Sequence, residues 1–423
     1  MKEKIAIIGS GIAGLSTAYF AQHQYDITLF EKNDYIGGHA NTRTVKLDEA
    51  HIPVDTGFIV FNSHTYPNLI KLFDELDVET INSDMSFSFY NPSQSFEYGG
   101  GTLSSLISDK SNLIKPSFYI MIKDIIRFYK KFQKKSPIPN ITLEDYCIQN
   151  NYSKAFMDFH LLPLISSIWS TPDELSMKQP LSSIVSFFQN HKLFNFIDRP
   201  QWKTVKGGSR NYIKKIIANT KMNINLLAKI EKIIIHEKGL DIFSNGSSNH
   251  FDKIVFAAPP NQFLKLISSW SDQEIEILSK FKFQKNHIQL HQNSSTMPKH
   301  KGTWSSWNFY TNINKKFSLT YWMNKLQELK TNQNIFVSLN QNFKDNISYQ
   351  TYYDHPVTSN QSNTAQKNIG NIQGMNNCYY VGSYLGYGFH EDGIQSAIKV
   401  CQKIHIKFNQ NFMNPDTSRV LWK

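Results

Sequence analysis

Gly9, Gly11 and Gly14, in Gly9-Ser10-Gly11-Ile12-Ala13-Gly14, have the spacing that holds a dinucleotide, and Glu31 follows on the same side of the chain. The first glycine permits a tight turn and the second lets backbone approach a pyrophosphate. The third lets a helix pack close to its strand. Ile12 and Ala13 open that helix, whose free N–H groups and positive dipole end attract phosphate. Glu31 falls where a carboxylate accepts hydrogen bonds from ribose hydroxyls, and its charge disfavours a 2′-phosphate. Lys32 and then Gly37-Gly38-His39 come next. That glycine pair can bring a second stretch of backbone against the pyrophosphate.

The other end of the chain offers proton-transfer chemistry. His390 and Glu391 stand at the end of a glycine-rich loop that includes Gly382, Gly386 and Gly388, just before Gly393-Ile394. A histidine there titrates near neutral pH and serves as acid or base, or else as a structural hydrogen-bonding group. His287 and His291 alternate along one face of an expected strand without an accompanying carboxylate, so no metal site is expected. Gly382-Ser383-Tyr384-Leu385-Gly386 lacks the spacing of a nucleophile elbow. His355, in Asp354-His355-Pro356, reads as a loop determinant.

These motifs resemble the FAD-binding amine oxidase superfamily, which includes phytoene desaturases and protoporphyrinogen oxidases. His39 stands where those proteins usually carry Arg, and Ser383-Tyr384 replace an acidic residue after the strand glycine. Further blocks extend the likeness: Val54-Asp55-Thr56-Gly57-Phe58, Trp304-Ser305-Ser306-Trp307-Asn308, Tyr321-Trp322-Met323 and Asp354-His355-Pro356-Val357. Together they are similar to a bacterial family of NAD/FAD-binding, amine-oxidase-like proteins associated with cyclopropane-type or other modified fatty-acid synthesis. The resemblance implies non-covalent FAD, with contacts from Thr56, Gly57, Ile230, Gly382, Gly388, Glu391, Gly393 and Ile394 besides the residues above. Flavin enzymes orient a C–H bond against the ring and exclude solvent, so aromatic walls matter as much as polar groups. Trp304, Trp307, Tyr321 and Trp322 are the candidates to line an apolar substrate tunnel, and core packing is the competing role for each.

The elements that must position these groups follow from hydrophobic pattern. Ile5-Ala6-Ile7-Ile8 and Asp26-Ile27-Thr28-Leu29-Phe30 read as buried parallel strands around the glycine helix. Ile230 to Ile235, Phe251 to Phe256 and Cys378 to Val381 read as later strands. The expected fold is α/β, a discontinuous Rossmann-like domain interleaved with an α+β substrate domain. Residues 1–62, 204–261 and 373–423 are assigned to the first, and 63–203 and 262–372 to the second. Within the latter, Phe118 to Lys135 reads as a helix with Phe118, Ile122, Ile125, Tyr129 and Phe132 inward and lysines outward. It is either an amphipathic cover or a helix lying on anionic membrane.

Composition narrows the function classes. The net charge is +11, yet no arginine-rich arm or nucleic-acid module accompanies it. Acidic substrates or lipid surfaces are the expected partners, with no nucleic acid. Three cysteines without metal-ligand spacing, and an opening strand that runs straight into glycines, favour a reduced cytoplasmic setting without a secretory signal. The expected activity is FAD-dependent hydride abstraction, a desaturation or dehydrogenation, on a fatty-acyl or similar lipid. The alternatives are an amine oxidase releasing peroxide and a non-redox flavin isomerase or binding protein. Oligomeric state is left open by the sequence.

Overall fold

The computed structural model describes residues 2–47, 50–134, 137–170, 173–311 and 318–422. Lys135, the last residue of the expected amphipathic helix, lies outside them. A five-stranded parallel sheet forms the first core, in the order β10-β2-β1-β14-β20. Its strands are β1 (Lys4–Ile8), β2 (Asp26–Phe30), β10 (Asn223–Asn225), β14 (Lys253–Phe256) and β20 (Cys378–Tyr380). Ile7 pairs with Leu29 on one side and Val255 on the other, and all three are fully buried. Strands covered on both faces need such continuous apolar runs. Three distant stretches of chain thus meet in one sheet.

Helix α1 (Ile12–Ala21) follows β1 directly. Gly9 has φ +107°, a left-handed turn that a side chain would strain. A Cβ on Gly14 would stand 2.0 Å from the Gly9 carbonyl oxygen, so no side chain fits between helix and strand. A small antiparallel sheet of β11 (Ile230–Ile235), β12 (Leu240–Ser244) and β13 (Ser247–Phe251) covers one end. Two further ribbons, β3 (Thr42–Leu47) with β4 (Ala50–Asp55), and β5 (Val60–Asn62) and β6 (Thr80–Ser83) flanking β9 (Trp202–Val205), lead toward the second half.

That half is built on a seven-stranded sheet, ordered β19-β15-β18-β17-β16-β7-β8. The strands are β7 (Phe87–Asn91), β8 (Phe96–Gly99), β15 (Phe283–His291), β16 (Trp307–Tyr310), β17 (Ser318–Trp322), β18 (Phe336–Leu339) and β19 (Ile347–Pro356). Only the β16–β7 contact is parallel. Helices α2 (Pro67–Glu75), α3 (Leu103–Leu106) and α4 (Pro116–Gln133) precede a helical cluster with its own core around Phe128, Phe156 and Phe188. The buried stripe of α4 is Phe118, Met121, Phe128, Tyr129 and Phe132. Ile122 and Ile125 sit at its margins rather than at its centre.

The close approach at Gly14 makes a direct prediction. Gly14→Ala destabilises the protein by about 1–3 kcal/mol, because backbone must move to admit one methyl group. Thermal unfolding with and without added dinucleotide should show the loss in both conditions.

Candidate cofactor and active site

Three backbone segments converge on the turn after β1. A Cβ on Gly38 would lie 3.1 Å from the Cα of Gly11, and one on Gly393 would lie 2.9 Å from Ile12 Cγ2. The glycine pair and the closing helix, His390–Lys403, therefore both touch the loop of Gly9 to Gly14. Gly11 is the exception, since a Cβ there meets nothing within 4 Å. The tight glycines frame an open space at the residue whose backbone should approach a pyrophosphate. Two helix N-termini, those of α1 and the closing helix, meet beside it, an arrangement that favours anions.

Ser10 ties this frame together and was not legible as a site residue. Its hydroxyl donates to Glu31 Oε2 at 2.6 Å and accepts from Gly37 N–H at 3.2 Å. Glu31 also accepts from Ser10 N at 3.0 Å, and its Oε1 accepts from Asn33 N and Nδ2 at 2.9 and 2.8 Å. All four acceptor positions of the carboxylate are used. Glu31 thus braces the glycine loop, and a ribose hydroxyl has to share it or displace Asn33. Lys32 points away to Gln262 Oε1 at 2.9 Å, and Gln262 in turn donates to Asp354 at 3.0 Å. Ile230 begins β11, just beyond Ala228, whose N–H donates to the Glu31 carbonyl at 2.9 Å.

Beside the loop, Gly57 packs against the His39 carbonyl, 2.2 Å from where its Cβ would be. The Thr56 hydroxyl bonds to Asn41 O and to Tyr353 Oη, each at 2.9 Å. Gly382 is extended and donates its N–H to Ser396 Oγ at 2.9 Å. Gly388 turns left-handed, φ +100°, where a Cβ would press on Pro356. Ile394 is buried one turn into the closing helix.

His390 and Glu391 turn toward packing partners. The His390 ring stacks on Phe58 at 3.6 Å, and its Nε2 pairs with Tyr212 Oη at 3.0 Å. Glu391 accepts from the N–H groups of Asn68 and Leu69 at 3.2 and 3.0 Å, so it caps the N-terminus of α2. Asn68 Nδ2 and Gln395 Nε2 add bonds at 2.7 and 3.1 Å. Burial still raises the Glu391 carboxyl to about 7 against these donors. Asp392 accepts from Phe389 N–H at 2.8 Å and faces Arg419 at 3.6 Å.

A different polar group faces the glycine pair. His39 lies against Tyr353, ring centroids 4.6 Å apart, and against His355 at 5.4 Å. Asn286 Nδ2 donates to Ser170 O at 3.0 Å, and its Oδ1 accepts from Asn340 at 2.9 Å. That fixes the amide, so the 2.8 Å contact to His355 Nδ1 is a donation by Asn286. His355 then carries its proton on Nε2. Burial lowers His39 to about 4, with Asp354 opposing the shift, and lowers His355 to about 3, with His39 adding to it. Both imidazoles are neutral near pH 7, as is His390, lowered by burial and by His39.

Strand register sorts the aromatic candidates. Trp307 pairs with Tyr321, and that face also carries Asn286, Tyr353 and His355. Trp307 and Tyr321 meet edge to face at 4.9 Å, on the side of the sheet that His39 touches. Trp322 is one residue on and faces the other way, where it meets Trp304 at 5.5 Å. The expected tunnel wall of four aromatics is therefore two and two. Trp304 Nε1 donates to Pro298 O at 2.7 Å and Trp322 Nε1 to Asn334 at 3.1 Å, as packed side chains do. His287 and His291 share that second face and bond to Gln341 O and Ser338 Oγ at 2.9 and 2.8 Å.

His39, His355 and His390, together with His160, His191 and His291, which burial also lowers, must charge when the protein unfolds in acid. Their folded affinity for protons is below the unfolded value, so their stabilising effect is full above about pH 6.5 and is lost as pH falls through about 4 for His39 and about 3 for His355. Tm should drop across that window, and His355→Gln should make the drop shallower by about one proton's worth of slope.

Residues 7–76 match the model of the family described as NAD(P)-binding Rossmann-like domain. Over 311 residues the chain is 24% identical to the chloroplastic/chromoplastic 15-cis-phytoene desaturase of Arabidopsis thaliana, covering 66% of this chain and 51% of that one. The chain thus spans about half of that relative's length. The crystal structure of a CLA-producing fatty acid isomerase from P. acnes superposes with a TM-score of 0.66 at 14% identity, covering 96% of this chain and 99% of the other. Cyclohexylamine oxidase from Brevibacterium oxydans IH-35A gives 0.65 at 15%, covering 96% and 100%. Residues 7–76 thus carry a Rossmann-like NAD(P)-binding domain, and the chain as a whole shares the fold of those two solved structures.

Proposed function

We propose that the protein is a FAD-dependent oxidoreductase that removes hydride from a fatty-acyl or similar lipid and leaves a double bond. The observation that carries this reading is the open space at Gly11, framed by Gly38, Gly393 and two helix N-termini. When bound there non-covalently, FAD supplies the hydride acceptor. Cys378 offers no covalent anchor, because it is buried in β20 and burial pushes its thiol up. The cofactor-binding part comprises residues 1–62, 204–261 and 373–423, and the substrate part 63–203 and 262–372.

The chain's own residues have defined tasks in this proposal. Backbone N–H groups at the start of α1 and of the closing helix hold negative charge. Phe58 and the α2 cap at Glu391 keep the closing helix in position. Trp307 and Tyr321 present an apolar wall to an acyl chain, and Tyr353 closes it beside His39. His355 holds its proton at Nε2, where Asn286 fixes it, and so offers one oriented donor in an otherwise apolar setting. Support for a lipid comes from this wall and from relatives named as a phytoene desaturase and a fatty acid isomerase.

Purified protein loaded with FAD should be yellow, and anaerobic addition of unsaturated acyl lipids should bleach it. Peroxide release with amines and no lipid response would overturn the lipid assignment. Unchanged colour with a shifted double bond would make the protein an isomerase. Gly11→Val is the structural control. It fills the open space and should lose FAD, yet alter the stability of the FAD-free protein by only about 0.5 kcal/mol.

A further inference from the structure

From α3 into α4 the chain exposes several large apolar side chains within a short span of sequence. Leu103 on α3 is 74% exposed and Ile114, in the turn before α4, is 85% exposed. Tyr119 and Ile120 follow on the first turn of α4, at 53% and 45%. The Tyr119 hydroxyl donates to Leu113 O at 2.8 Å, which holds this turn against the helix. Monomeric surfaces rarely gather side chains of this kind without a partner.

The charges around them are of one sign. From Leu103 to Lys134 the chain carries Lys110, Lys115, Lys123, Arg127, Lys130, Lys131 and Lys134, against Asp109 and Asp124. Both aspartates are buried: Asp109 accepts from Ser111 N and Asp124 from Ser153 N. Within this stretch the exposed charge is therefore cationic, and it stands among the exposed apolar side chains. Lys123 lies on the outer stripe of α4 between Tyr119 and Ile126, where a protein interface would be depleted in lysine. A lysine stem lies along apolar surface while its ammonium reaches a phosphate, which suits a bilayer. No helix among the described residues is long and apolar enough to cross a membrane, so α4 can only lie along it.

We propose that the surface from Leu103 to Ile126 docks on an anionic lipid bilayer. Its aliphatic side chains enter the headgroup layer and its lysines meet lipid phosphate. The inner stripe of α4, Phe118 and Met121, packs in the same core as Trp307 and Tyr321. Docking of this surface does not depend on the redox reading.

Sedimentation with vesicles of phosphatidylcholine containing about 30% phosphatidylglycerol tests it. The FAD-loaded protein should pellet with these vesicles, release as salt rises, and stay in solution with phosphatidylcholine alone. Lys123→Gln should weaken binding about fivefold, and Ile114→Glu with Ile120→Glu should weaken it at least tenfold. Unchanged circular dichroism and flavin content show that the variants are folded. Equal pelleting of wild type and variants, or none by wild type, would overturn the proposal. So would self-association of wild type that Ile114→Glu abolishes in the absence of lipid.

Discussion

Everything in the site depends on how closely two helices approach each other. Gly393 leaves room for Ile12 and Ala13 and for little else, so the closing helix and α1 bring their N-termini to the same place. Neither terminus alone would make the proposed pyrophosphate site. Together, with Gly38 seated on Gly11, they place the backbone of three distant stretches around one small volume. Glu391 and Asp392 keep this arrangement from relaxing. One carboxylate holds α2 and the other closes the first turn of the closing helix while facing Arg419.

The glycine framework was legible because its signal is local: spacing fixes which residues must lack a Cβ. The strands of the parallel sheet were legible for a related reason, since burial on both faces demands unbroken apolar runs. What escaped the sequence was direction. His390 and Glu391 read as the last loop residues before the closing helix and are instead its first two, and nothing in their neighbours says that Phe58, Tyr212 and α2 claim their side chains. Trp304 to Trp322 likewise read as one aromatic group until strand register divided it. Alternation with period two separates Tyr321 from Trp322 as surely as distance would.

His355 shows the reverse error. Its place before Pro356 suggested a loop, yet β19 runs through to Pro356 and aims the ring at His39. The partner that defines its proton, Asn286, lies on β15, and the residue that orients Asn286, Asn340, lies just past β18. Three strands are needed to specify one imidazole tautomer, and no local motif records such a relation. Ser10 was hidden differently: it sits between the glycines of the motif, and its role appears only once Glu31 and Gly37 are beside it.

The contact between Ile12 and Gly393 also bears on synthesis. About 380 residues separate the two halves of this contact, so at roughly 5–20 residues per second the first βα unit waits some 20–75 seconds for its partner. During that time the face of α1 that packs against the closing helix has no cover from it. The βα unit of β1 and α1 therefore gains this contact only once the closing helix has been translated.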